Sequence, residues 1–151
     1  MDKEFMKVAI EEAEKAGAMG EVPVGAVIVR GGEIIARSHN TRETCQNALG
    51  HAEINAIDAA CKKTGSWRLD DCTIYVTMEP CPMCAGAIIN ARIKEVVFGS
   101  YDLKMGSFDS KVNLANVGFD FKPEIYGGIM EKECTRIVKN FFEEIRNDKK
   151  N

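Results

Sequence analysis

The chain has 151 residues, 45% hydrophobic and 28% charged, with a net charge of −3 and a pI of about 5.5. That length suits one domain with a sizeable core, and the charge balance excludes a general electrostatic pull toward nucleic acid or acidic membranes. No run approaches the ~20 apolar residues of a membrane span, and the acid-rich start "MDKEFMKVAIEEAEKAG" lacks the apolar stretch of a signal peptide.

In chain order, residues 2–18 predict an amphipathic helix that Asp2 can cap, with Phe5, Ala9, Ala13 and Ala16 at helical spacing. "VPVGAVIVR" is apolar and β-branched, as a strand is. Gly31 and Gly32 suit a tight hairpin turn into the returning strand "EIIARS". Residues 39–50 are polar and irregular and predict a loop. "HAEINAIDAACKKTG" predicts a helix closed by Gly65. "CTIYVTM" predicts a buried strand, "CPMCAGAIINARI" a helix starting just after Pro80, and "EVVFGS" another strand. Trp67, Arg68 and Leu69 are expected to pack before the first of these strands. Residues 100–122 resist assignment. "EIYGGI" predicts a last short strand, and "KECTRIVKNFFEEIR" a final amphipathic helix with one of Phe141 and Phe142 in the core, before a fraying "NDKKN". No repeat or linker interrupts this pattern. Helices alternating with strands predict an α/β layered sheet in a single domain over residues 1–151.

The chemistry concentrates in two places. His51, one of only two histidines, opens a predicted helix as "HAE", and thirty residues later comes "PCPMC". The chain is expected in the cytoplasm, where six cysteines argue for thiols or metal ligands rather than disulfides. One imidazole and two thiolates suit zinc. Cys81 and Cys84, at i and i+3, share a helix face, and the positive end of that helix favours the thiolates. Pro82 is tolerated in the first turn. Three protein ligands leave a tetrahedral position open for a water that zinc would activate. Glu53, two residues after His51, is free to shuttle protons. H-x-E with P-C-x-x-C is the signature of zinc nucleobase deaminases. A redox C-x-x-C leaves His51 unexplained. A structural zinc needs a fourth ligand, for which Cys45, Cys61, Cys72 and Cys134 are the candidates; otherwise these four are small buried hydrophobes.

The words "HAEINAI", "WRL", "YVTMEPCPMCAGAI", "ARI" and "VVFGSYDLKMGS", with "EVPVGAVIV" and "HN" upstream and "GGIMEKEC" and "NFFEEIR" downstream, resemble the bacterial tRNA adenosine deaminase family of the cytidine deaminase-like superfamily. The resemblance spans nearly the whole chain. It implies a three-layer α/β/α fold with a central mixed sheet of about five strands. It also implies a homodimer with one zinc per subunit, and hydrolysis of the wobble adenosine in a tRNA anticodon stem-loop to inosine. Carried over by position, His51, Cys81 and Cys84 would bind zinc and Glu53 would shuttle protons. Asn40 would contact the target nucleoside, and Val22, Ala52 and Pro80 would form the base pocket. Asp102 and Lys104 would approach the flanking nucleotides, and Phe142 and Arg146 would meet the RNA.

Two stretches depart from the family pattern. "FDFKPE" puts Asp120 and Phe121 where many relatives carry an Asn-His pair, and Glu143 and Glu144 stand where a basic tail is expected. They keep a second reading open, a deaminase of a free nucleobase or nucleoside of the guanine or cytosine/cytidine type. A third is a non-catalytic zinc-stabilised nucleic-acid-binding module, against which Glu53 argues.

Overall fold

The structure, a computed structural model, describes residues 2–150, with side chains over residues 2–149. Its elements are α1 (Lys3–Ala18), β1 (Gly25–Arg30), β2 (Glu33–His39), α2 (Ala52–Thr64), β3 (Cys72–Met78), α3 (Pro82–Asn90), β4 (Glu95–Ser100), a 3₁₀ turn (Leu114–Asn116), β5 (Glu124–Tyr126) and α4 (Glu131–Lys150). One five-stranded mixed sheet runs in the order β2-β1-β3-β4-β5. β1 is antiparallel to β2 and β3, whereas β3, β4 and β5 are parallel. The expected α/β/α layering is what the chain adopts: α2 and α3 cover one face, and α1 and α4 the other.

The strands bury both faces, and their period-2 alternation sorts the core. Ala26, Ile28, Ile74, Val76, Val96 and Phe98 join Ala52, Ala56, Ala60, Ala85 and Ile88 of α2 and α3. The intervening Val27, Val29, Tyr75 and Val97 join Met6 and Ala9 of α1 and Cys134 of α4. Alanine along α1 and α2 lets these helices lie close on the sheet. The tightest approach is at Gly25, where a Cβ would run into the backbone of Ala9 and Ala13. This seating brings Glu12, 3% exposed, onto β2. There its carboxylate accepts from Lys15 Nζ and Arg37 Nε, each at 2.8 Å, and lies 2.9 Å from His39 Nδ1.

Asp2 caps α1 through Glu4 N. Gly31 (φ +57°) and Gly32 (φ +78°) make the hairpin turn with both residues at positive φ, and Gly65 (φ +72°) closes α2. Several boundaries differ from the expectations. The first strand starts at Gly25 rather than Val22, because Pro23 has no N–H for a ladder. His39 ends β2 instead of opening the loop. α3 stops at Asn90, with Arg92 at φ +65° turning the chain into β4. α4 does not fray at residue 147 but continues to Lys150, since "NDKK" holds no glycine or proline to stop it; Asn151 lies outside the described residues. Leu69 is buried as expected, but Trp67 and Arg68 are exposed, the guanidinium pairing with Asp70. Cys45 is exposed and Cys61 half-buried, so only Cys72 and Cys134 of the four remaining cysteines are buried. No helix among the described residues is long and apolar enough to cross a membrane.

Candidate metal centre and substrate cleft

Two helix N-termini meet behind the sheet. His51 is the N-cap of α2 and Cys81 the N-cap of α3, with Pro82 at the first helical position and Cys84 one turn in. His51 Nδ1 lies 3.5 Å from the sulfur of Cys81 and 3.5 Å from that of Cys84. Metal bonds of roughly 2.3 Å to sulfur and 2.0–2.1 Å to nitrogen, at the tetrahedral angle, put S and N about 3.6 Å apart. The donor set and its spacing therefore fit zinc. Among the described residues, no fourth His, Cys, Asp or Glu offers an atom within 4.8 Å of the other three.

The electrostatics fit a cation as well. Hydrogen bonds from Cys84 and His51 outweigh burial and hold the Cys81 thiol down at about 4. Cys84, as the donor to that thiolate and itself buried, is pushed far up. His51 is raised by its contact with Cys81. The cluster thus holds protons that a dication would displace. Glu53, in the first turn of α2, is 4% exposed, and burial pushes its carboxyl up to about 7, with the Cys81 thiolate adding to the rise.

These groups open into a cleft of about 300 Å³. Of the residues carried over by position, Val22, Asn40, Ala52 and Asp102 line it beside His51, Glu53 and Cys81. Asn40 is 8% exposed and tied by its amide, Nδ2 donating to Val22 O and Oδ1 accepting from Arg42 N. Pro80, expected in the base pocket, does not line the cleft: it is buried, and its carbonyl accepts from Ser107 N of the neighbouring loop. Lys104, Phe142 and Arg146 do not line the cleft. Lys104 is exposed on the loop after β4. Phe142 is 43% exposed on α4 and packs edge-on against the half-buried Phe141, so neither aromatic enters the core.

The sequence reading missed Val24, Arg42, Met78, Glu79 and Met105, which also line the cleft. Arg42, a cation two residues after Asn40, was the one with a readable signal. The departures in "FDFKPE" lie elsewhere: Asp120 is exposed, and Phe121 packs against the core and under Arg92, whose guanidinium sits 5.6 Å from its ring centroid.

Comparison with known proteins gives this chemistry a family. A profile described as MafB19-like deaminase matches residues 1–146. The tRNA-specific adenosine deaminase of Bacillus subtilis (strain 168) is 51% identical over 150 residues, spanning 99% of this chain and 93% of its own. A solved structure from studies of A-to-I editing by tRNA:A34 deaminases superimposes with a TM-score of 0.87 at 41% identity, covering 90% of this chain and 99% of that one. A guanine deaminase from Bacillus subtilis superimposes with a TM-score of 0.64 at 33% identity, over 80% and 88% of the two chains. In length matched, in identity and in backbone agreement the adenosine deaminases lie ahead, and the chain belongs to the tRNA-specific adenosine deaminase family.

Proposed function

We propose that this protein is a zinc-dependent hydrolase that converts the wobble adenosine of a tRNA anticodon loop to inosine, releasing ammonia. The observation that carries the reading is the buried Glu53 carboxylate facing the same cleft as a three-ligand cluster. A purely structural metal site has no use for such an acid. His51, Cys81 and Cys84 would hold the zinc. When bound, the metal supplies Lewis acidity that lowers the pKa of a water to about 7.

The remaining chemistry belongs to the chain. Glu53 accepts one proton from the water that attacks the amine-bearing ring carbon and passes it to the ring nitrogen; it then takes the proton of the hydroxyl so formed on that carbon and passes it to the amine, which leaves as ammonia when the C–N bond breaks. Burial favours the protonated form of this carboxyl and a dication beside it favours the ionised form, so both states are within reach for a proton carrier. Val22 and Ala52, with Val24 and Met78, form the apolar wall against the base, and Asn40 orients the nucleoside. The base must leave its stack to enter, which a splayed anticodon loop makes easier. Asp102, Lys104 and Arg42 lie on loops suited to the flanking nucleotides, and Phe142 and Arg146 offer a stacking face and a cation farther along the RNA. The protein works in the cytoplasm as a homodimer; Val112, Val117 and Phe119 are exposed apolar side chains available to such a contact. Nucleoside analysis of an anticodon stem-loop incubated with zinc-loaded protein tests the reading: inosine at the wobble position supports it, and unchanged adenosine refutes it.

A further inference from the structure

The segment after β4 carries no regular element until the 3₁₀ turn, yet it lines the cleft with Asp102 and Met105. Asp102 Oδ1 accepts from Lys104 N at 3.0 Å and Met105 N at 3.2 Å within the segment, and one side chain from outside it gathers the rest. Glu79, between β3 and the first metal-cluster cysteine, is 2% exposed. Its Oε1 accepts from Asp102 N at 3.1 Å and from the Ser110 hydroxyl. Its Oε2 accepts from Phe108 N at 3.3 Å and from Asp109 N and Ser110 N, each at 2.9 Å. The carboxylate has no lysine, arginine or histidine salt-bridge partner among the described residues; four backbone N–H groups and a hydroxyl take that place. The fit is close: a Cβ at Gly106 would overlap the carboxylate itself. Ser107 N donating to Pro80 O at 2.9 Å ties the same loop to the next residue of the cysteine segment.

We infer that Glu79 is a positioning residue for substrate recognition. It holds residues 102–110 in the one arrangement that presents Asp102 and Met105 to the nucleotides beside the target base. The inference rests on the proposed RNA substrate, but the loop ordering does not. Without the carboxylate, the four N–H groups, the buried one of Phe108 among them, lose their shared acceptor and the loop samples other arrangements. RNA then binds only the fraction of molecules with the loop in place, so KM rises by the inverse of that fraction, while kcat at saturating RNA stays. The metal cluster, held by α2 and α3, is untouched.

The test uses the zinc-loaded full chain and the variants Glu79→Gln and Ser110→Ala. Glu79→Gln keeps the side-chain volume and is expected to raise KM for the stem-loop about 10-fold, with kcat within about 2-fold of wild type and zinc content unchanged. Ser110→Ala removes one donor of the five and is expected to raise KM about 2- to 3-fold by the same route. Amide hydrogen exchange at Asp102, Phe108, Asp109 and Ser110 should quicken in Glu79→Gln while α3 stays protected, whether or not any RNA is turned over. If wild type fails to deaminate the RNA but the exchange result holds, the proposed function fails and the loop ordering stands. Loss of zinc, a fall in kcat at constant KM, or unchanged loop exchange would overturn the positioning role.

Discussion

Replacing Glu12 by Gln should destabilise the fold in a pH-dependent way. Burial alone would raise the Glu12 pKa, but the hydrogen bonds from His39, Lys15 and Arg37 outweigh it and hold the carboxyl at about 2 instead of 4.5. A folded-state pKa below the unfolded one adds stability that is complete above the unfolded value and lost as pH falls through the folded value. The shift corresponds to about 3 kcal/mol at neutral pH, about 1.4 kcal/mol at pH 3 and about 0.4 kcal/mol at pH 2. Gln stands in for the protonated carboxyl. The stability difference between wild type and Glu12→Gln, from urea unfolding with both proteins at the same zinc loading, should therefore be flat above about pH 5.5 and shrink toward zero near pH 2. Lys15 and Arg37 are solvent-exposed, so high salt should trim the difference without removing it. A difference below about 1 kcal/mol at pH 7, or one independent of pH, would refute the reasoning.

Glu53→Gln should keep zinc, measured by metal analysis, and lower turnover by at least about 10²-fold, the contribution of a positioned acid–base group; activity near wild type would remove Glu53 from its role. Zinc binding to chelator-stripped protein at pH 7 should release about one proton from Cys84 and a fraction from His51, read by calorimetry in buffers of different ionisation enthalpy. Binding without proton release would contradict the protonated cluster inferred from the Cys84 and His51 shifts. Gly99→Ala would press a Cβ into the Cys134 side chain and to 2.9 Å from Thr77 O, costing about 1–3 kcal/mol in chemical unfolding. Adding Cys134→Ala should return part of that loss.

The layered fold was legible because its signals are local and periodic. Alternating strands, alanine-rich helices, the Gly31–Gly32 turn and the Gly65 cap each announce themselves within a few residues. The His51–Cys81–Cys84 grouping was legible because its spacing puts three donors at two helix starts. What stayed hidden acts across long separations without period. Glu79 reads as an ordinary acid beside a proline, yet it orders a loop up to 31 residues away through backbone groups that any sequence carries. Glu12 reads as a solvated position on α1, and only the close seating at Gly25 buries it against β2. Trp67, which composition alone would place in a core, stays outside, its ring covered on one side by Arg68 at 5.4 Å.

A paired deamination measurement separates a tRNA substrate from a free base or nucleoside. Zinc-loaded protein is given an anticodon stem-loop with adenosine at the wobble position, and in parallel free guanine, adenine, adenosine, cytosine and cytidine, with inosine and released ammonia both quantified. Inosine should form in the RNA, with no ammonia from the small molecules. Ammonia from a free base or nucleoside, with the RNA adenosine unchanged, would contradict the tRNA assignment.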